Sequence, residues 1–315
     1  MRKVLVTGAS GLIGSAVCEG LISHNISVVG TDSKPCAIQK GELFEFFKGD
    51  ISNKAEIEKI IRETAPDTLV HTACTVDNDF PDILTQDEER ISSAADKYLY
   101  KAAVSENFKD IITISTHQVY APRKTREPIS EISPEKPVTI YGKIKSDSEK
   151  ALKAALKRGG TKGVIMRICP IYTKDYTENL KSKVYDPAEG CGFVYGYGDY
   201  GYAFTCVYNI VDFVNSILTG EHSTNYEGIY NVCDSKPILA KDIVEFLRGA
   251  HKIGAVVQRN YSSDNVKLLF GVMPGKAAKS EYRFNDVSIA CSNVSYDNTK
   301  AQRISSFRWK LSNTK

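Results

Sequence analysis

The sequence predicts an α/β fold, a doubly wound parallel sheet with a smaller C-terminal lobe. Three observations predict it. Lys3 to Asp32 reads as an apolar run, a glycine-rich turn, an amphipathic helix and a second apolar run, a βαβ unit completed in about thirty residues. Further short apolar runs alternate with helical patterns as far as Ile168. After Pro170 this gives way to residues 172–206, rich in tyrosine and glycine and with little helical period.

Lys3 to Thr7 is short, apolar and bounded by glycine, the pattern of a strand buried on both faces. Gly8-Ala9-Ser10-Gly11-Leu12-Ile13-Gly14 follows, and Ile13, Ala16, Val17, Leu21 and Ile22 share one face of a helix closed by Asn25. Ile26 to Thr31 is the second strand and ends on Asp32. Glycines at this spacing allow a tight turn, close approach of backbone N–H groups to a pyrophosphate and close packing of helix on strand, while the helix N-terminus attracts negative charge. With a strand before it and a helix after it, the pattern is that of a dinucleotide site. A carboxylate at the tip of the second strand accepts from a ribose 2′-hydroxyl and repels a 2′-phosphate, so Asp32 favours NAD over NADP; Lys34 is placed to soften that preference.

Gly49-Asp50-Ile51 precedes a helix from Asn53 to Thr64 with Ile57, Ile60 and Ile61 facing inward, and Pro66-Asp67 breaks the chain before a strand at Thr68 to Thr72. At its end His71-Thr72-Ala73-Cys74 supplies small residues where the backbone passes a flat ring. His71 reads as a packed core histidine, because nothing acidic or nucleophilic adjoins it in sequence. Gln86 to Asn107 is a long helix, Ile111 to Ile114 a strand, and Pro122 to Pro137 a surface loop able to close over a ligand. A helix from Val138 to about Arg158 ends at Gly159-Gly160, and Gly163 to Ile168 is the next strand. Helices at Asn209–Leu218 and Ala240–His251 flank a strand at Ile229–Val232. The tail, with Phe284 to Ala290 and Lys310-Leu311, is too mixed to place. The division expected is a cofactor domain over residues 1–171 and a lobe over 172–315, with segments near 204–232 returning to the first.

Composition narrows the classes of function. With 41 basic and 38 acidic residues the formal charge is +3, and no block of like charge forms a nucleic-acid stripe. The eight cysteines show no C-x-x-C pair and no zinc-ligand spacing, which points to reduced thiols, no metal site and a cytoplasmic protein. No run approaches transmembrane length, and the first strand starts too early for a signal peptide, so no membrane partner is expected.

The chemistry concentrates between Ser115 and Lys145. Thr116 stands just past a strand, and Tyr141 and Lys145 are one helical turn apart, so their side chains share a face. A free phenol has a pKa near ~10, and a neighbouring ammonium is expected to lower it toward use as a base. The hydroxyl of Thr116 can fix a substrate oxygen relative to the tyrosine, and the lysine can also hold the cofactor ribose. Such a set moves a proton while nicotinamide moves a hydride.

These residues carry a resemblance. Thr7 to Gly14, Asp32, Gly49-Asp50-Ile51, His71-Thr72-Ala73, Ser115-Thr116 with Val119-Tyr120, and Tyr141 with Lys145 resemble the extended short-chain dehydrogenase/reductases, specifically the NAD-dependent epimerase/dehydratase group acting on nucleotide sugars. Arg167 to Tyr172 and Gly228 to Val232 are later echoes. The resemblance implies a Rossmann domain and a substrate-binding lobe, with Thr116, Tyr141 and Lys145 catalytic. It implies cofactor contacts at Gly8, Ser10, Gly11, Leu12, Ile13, Gly14, Asp32, Asp50, Ile51, Thr72, Ala73, Tyr141, Lys145 and Pro170. It implies substrate contacts at Thr116, His117, Gln118, Tyr172 and Asn179. Many relatives dimerise through the helices at 86–107 and 138–158; a homodimer is left open, the second helix being lysine-rich here.

The departures bear on reaction type. In sugar 4,6-dehydratases the positions of His117 and Gln118 carry an acid and a base, and certain carbon epimerases place a cysteine there; a glutamine cannot take up a proton. That leaves hydride chemistry, as a sugar 4-epimerase or as a 4-keto reductase or dehydrogenase. The family's arginine near Tyr202-Ala203-Phe204 is absent, which removes one clamp on a diphosphate. The alternative is an NAD-binding sensor or scaffold without turnover, against which the intact Thr116, Tyr141 and Lys145 speak.

Overall fold

Strands and helices alternate from the start of the chain in the order Lys3–Thr7 (β1), Leu12–Ser23 (α1), Ser27–Asp32 (β2), Phe44–Lys48 (β3), Lys54–Thr64 (α2), Thr68–His71 (β4), Gln86–Ser105 (α3), Asp110–Thr116 (β5), Ile140–Leu156 (α4) and Lys162–Ile168 (β6). Shorter elements follow: Ile171–Tyr172 (β7), Glu178–Val184 (α5), Tyr185–Asp186 (β8), Cys191–Tyr195 (β9), Gly201–Tyr202 (β10) and Thr205–Cys206 (β11). Then come Val207–Thr219 (α6), Gly228–Val232 (β12), Ile238–Leu239 (β13), Ala240–Gly249 (α7), Val256–Arg259 (β14) and Thr299–Gln302 (α8). The computed structural model describes residues 2–74, 86–121, 127–157, 159–220, 225–259 and 293–314. The stretch from Phe284 to Ala290, too mixed to place from sequence, and the first part of the 122–137 loop lie outside the described residues.

Seven strands form one sheet in the order β12-β6-β5-β4-β1-β2-β3, every neighbouring pair parallel. The chain enters at β1, winds outward to β3, then returns to β4 on the other side of β1. That reversal opens a crevice at the carboxyl ends of β1 and β4, the usual ligand position in such a sheet. Because side chains alternate along a strand, Val4, Val6, Val70, Ile112 and Ile114 pack under α1 and α6, while Leu5, Leu69, Ile111 and Ile165 pack under α2, α3 and α4. Burying each such side chain contributes about 1.5–3 kcal/mol.

Some elements differ from the sequence reading. β3 was not expected; Glu45 and Lys48 interrupt its apolar run, and it pairs on one side only, with β2, as an edge strand. Residues 172–206 are more ordered than their composition implies: α5 buries Leu180 and Val184, four residues apart, in a third apolar cluster with Tyr172, Tyr202, Phe204, Ile243 and Leu247. The second part of the 122–137 segment is pinned. Ile129 is buried, and Glu135 is ion-paired with the buried Arg167. No helix among the described residues is long and apolar enough to cross a membrane.

Candidate active site

The glycine turn is tight for identifiable reasons. Gly8 has φ +75°, and a Cβ there would lie 2.7 Å from the Ala73 nitrogen and from Thr72 Oγ1. A Cβ on Gly14 would stand 2.0 Å from the Gly8 carbonyl oxygen, so α1 starts directly on the turn. Thr72 ties β4 to it by donating to the Thr7 carbonyl at 2.7 Å. No side chain caps α1, whose N-cap residue is Gly11, and a Cβ on Gly11 would meet only the Gly8 carbonyl, at 3.3 Å. An uncapped helix start with open space before it is a cradle for an anion.

Asp32 accepts from the Ser10 N–H at 3.0 Å and the Lys34 N–H at 2.9 Å, so it braces the turn and keeps lone pairs for a diol. Ser10 donates its hydroxyl to the Lys34 carbonyl at 3.0 Å. Asp50 accepts from the Ser52 N–H at 2.8 Å, whereas the Ile51 side chain is turned into the core with Ile57 and Ile60, leaving only its backbone for a ligand. Glycine cradle, uncapped helix and half-exposed carboxylate together fit a dinucleotide diphosphate.

β5 delivers the next group. Successive residues point to opposite faces, so Ser115 turns to α4, donating to Glu149 at 2.6 Å, and Thr116 turns to a cavity of about 450 Å³. Lys145 is 4% exposed; its Nζ donates to the Ile114 carbonyl at 3.2 Å and lies 5.9 Å from the centre of the Tyr141 ring. Thr116, Tyr141 and Lys145 all line this cavity. Burial pulls the Lys145 ammonium down, but Cys74, Tyr141, Asp96 and Tyr100 around it outweigh burial and raise it, so it stays charged.

The expected lowering of Tyr141 does not occur in the protein alone. Burial outweighs the Lys145 ammonium and pushes the phenol up to about 12, leaving it protonated at neutral pH. A phenol in that state can donate a proton and must lose it before it can act as a base.

His71 is fully buried, its Nδ1 2.7 Å from Thr7 Oγ1 and its Nε2 3.0 Å from Asp96. The acid missing from its sequence neighbourhood comes from α3. Asp96 is lowered, because His71 and Lys145 outweigh the burial that raises it. A polar layer of Asp96, Tyr100 and Ser148 therefore backs Lys145, and Tyr100 bridges Thr113 and Ser148 at 2.8 and 2.9 Å.

Of the other expected residues, Ile13, Thr72, His117, Gln118, Pro170 and Asn179 line the same cavity. Tyr172 does not: it is fully buried in the third cluster and donates its hydroxyl to Asp234 at 2.7 Å. Strand alternation after Pro170 turns it away from the ligand. Asn179 donates to the Ile171 carbonyl at 2.9 Å. Cys74, read from the sequence only as a small residue beside a flat ring, also lines the cavity, and the sequence reading missed Cys169, Tyr176, Glu178 and Ser182 on its wall. Three of these belong to α5 or its approach, and a seven-residue helix gives too few turns for a period to show.

With that geometry in place, the comparisons are informative. Residues 4–233 match the model of the NAD dependent epimerase/dehydratase family. The chain belongs to this family. The family's cofactor is NAD, which the glycine cradle, the α1 N-terminus and Asp32 fit. Relatives include a UDP-glucose 4-epimerase of Azospirillum brasilense, 28% identical over 168 residues that cover 52% of this chain and 48% of the relative. Another is a "Probable dTDP-glucose 4,6-dehydratase" of Sinorhizobium fredii, 26% identical over 166 residues, 47% of each chain. The chain thus spans about half the length of these curated relatives. A Bacillus cereus UDP-glucuronic acid 4-epimerase, solved with UDP-glucuronic acid and NAD, shares the fold at TM-score 0.73 and 20% identity, covering 99% of this chain and 96% of its own.

Proposed function

We propose that this protein carries out NAD-dependent hydride transfer at a carbinol or ketone carbon of a nucleotide-linked sugar, as a 4-epimerase or as a 4-keto reductase or dehydrogenase, without eliminating water. The observation that carries this reading is the convergence of Thr116, Tyr141 and Lys145 on one cavity that is also lined by Ile13 and by Thr72, the neighbour of Gly8 and Gly14. NAD, when bound, supplies the hydride acceptor or donor. Thr116 holds the substrate oxygen, and Tyr141 gives or takes its proton. Lys145, charged and fixed to the Ile114 carbonyl, stabilises the phenolate when it forms and is placed to hold a ribose hydroxyl.

Elimination needs a group that removes a carbon-bound proton beside the ketone. Gln118 has no such capacity, and its side chain is engaged by Thr139. That supports hydride chemistry alone over dehydration.

The test is the cofactor extracted from the purified protein, followed by turnover of UDP-glucose and UDP-glucuronic acid by the wild type and by Tyr141→Phe. Stoichiometric bound NAD with interconversion of C4 epimers is the 4-epimerase outcome, and net NADH formation or consumption the oxidoreductase outcome. In either case Tyr141→Phe should lose about 10²–10⁴-fold in rate while still binding NAD. NAD binding without turnover of any sugar nucleotide would instead make the protein a sensor or scaffold, and a Tyr141→Phe variant with wild-type rate would remove the tyrosine from its role.

A further inference from the structure

Two atoms on the cavity wall have no part in the chemistry above. His117 and Gln118 are adjacent in the single turn that follows β5, and hydrogen-bond direction fixes what each presents. His117 Nδ1 lies 3.2 Å from the Ile168 carbonyl oxygen. A carbonyl only accepts, so Nδ1 carries the proton and Nε2 of the neutral ring carries a lone pair. Burial, outweighing the Ile168 carbonyl, pushes this imidazole down to about 4, so the neutral ring is the form present at neutral pH.

A second chain of bonds orients Gln118. Thr139 Oγ1 accepts from the Gly142 N–H at 3.0 Å and donates its own proton to Gln118 Oε1, at 2.7 Å. The other end of that amide is therefore an NH₂ donor. Gln118 is only 8% exposed, and both residues line the cavity. Among the described residues neither Nε2 atom has a hydrogen-bond partner, and neither is sealed from solvent. A largely buried donor and a lone pair left open in this way are groups that a ligand completes. The His117 ring is also held edge-on to Tyr296, at 5.6 Å and 77°, so the lone pair has a fixed direction.

We propose that His117 Nε2 and the Gln118 amide together read a free hydroxyl on the carbon next to the one that Tyr141 serves, the imidazole accepting its proton and the amide donating to its oxygen. This deepens the hydride-transfer reading and rests on it. A hydroxyl both gives and accepts, so it satisfies both atoms. A deoxy carbon satisfies neither, a keto oxygen only the amide, and a carboxylate sets negative charge against the imidazole lone pair. The substrate class is thus a nucleotide sugar with a vicinal diol at the reacting carbon; for UDP-glucose reacting at C4, the hydroxyl read is that on C3.

The experiment is calorimetric titration of the NAD-loaded protein with UDP-glucose and with its 3-deoxy analogue. Wild type should bind UDP-glucose about 10- to 100-fold more tightly than the analogue. His117→Phe keeps a ring against Tyr296 but has no lone pair, and Gln118→Glu keeps an acceptor for Thr139 but replaces the donor. In each the ratio should fall to about threefold or less with NAD affinity unchanged. A wild-type ratio near one, or an unchanged ratio in both folded variants, overturns the proposal. Discriminating binding without turnover overturns the proposed reaction and leaves the pair standing; no binding of UDP-glucose overturns both.

Discussion

The seven-stranded sheet and the third apolar cluster are both well buried, yet they are held together differently. β5 runs seven residues, all buried, with β4 and β6 hydrogen-bonded on either side. Its apolar positions alternate between the two flanking cores, Ile112 and Ile114 on one side and Ile111 on the other, and that pattern fixes the register of a long ladder. The strands that contribute to the third cluster, β7, β10, β11 and β13, are two residues long, too short to fix anything by ladder alone. Their place is taken by aromatic edges, Tyr172 on Phe204 at 6.1 Å and Tyr200 on Tyr202 at 5.8 Å, and by Asp234, which accepts from Tyr172, Asn209 and the Cys206 N–H. The expected consequence is that apolar positions of the sheet accept change of side chain within a class, whereas the cluster depends on particular polar atoms.

Four changes, from the largest expected effect to the smallest, would break or sharpen that contrast. The largest buried polar side chain within the sheet is Arg167, fully buried on β6, with bonds of 2.9 and 2.6 Å to Glu149 on α4, a further ion pair to Glu135, and its guanidinium 4.8 Å over the Tyr120 ring. Arg167→Met leaves the buried Glu149 charge with only Ser115 and the outer Lys153 and should destabilise the protein by about 3–5 kcal/mol, measured by urea unfolding. A loss under about 1 kcal/mol would mean that the sheet tolerates polar as well as apolar change.

Gly142→Ala comes next. The added Cβ would stand 2.6 Å from the Gln118 carbonyl oxygen, backbone against backbone, so the start of α4 must shift and carry Tyr141 with it. A loss of about 1–3 kcal/mol is expected, with a fall in rate larger than the change in NAD affinity. Equal losses in both would place the damage in the fold rather than in the site.

In the third cluster, Tyr172→Phe removes one hydrogen bond to Asp234 and should cost about 1 kcal/mol, leaving NAD affinity untouched. Taken per pH unit, the smallest effect is one of pH. Burial raises Asp234 to about 6, above its unfolded value, despite the donors around it. Its contribution to stability is therefore fully present at low pH and is lost as pH rises through about 6. Between pH 4.5 and 7.5 the wild type should lose roughly 2 kcal/mol relative to Asp234→Asn, read from the difference in unfolding midpoints. A parallel pH dependence in the two proteins would show that the donors hold Asp234 ionised.

The same contrast decides what could be read early. Apolar runs such as Leu5-Val6 and Ile111-Ile112 announce buried strands without reference to anything distant, and their alternation with helices announces a parallel sheet. β3 escaped because Glu45 and Lys48 break up its apolar residues, as an edge strand allows. α5 escaped because seven residues carry too little period. The turn-and-strand logic that brought Thr116, Tyr141 and Lys145 together is local, each being fixed by its own strand end or helix face.

The amino-acid sequence by itself determined the βαβ start, the acid at the end of β2 and the spacing of Tyr141 and Lys145, since these are properties of a few consecutive residues and of helical geometry. The tertiary structure alone decided the protonation of Tyr141, because burial is the sum of many neighbours. It alone decided that Asp96 from α3 meets His71, that Tyr172 turns into the core toward Asp234, and that Thr139 and Ile168 orient Gln118 and His117. Direction of a hydrogen bond and depth of burial depend on groups tens of residues apart, and only folding brings those together.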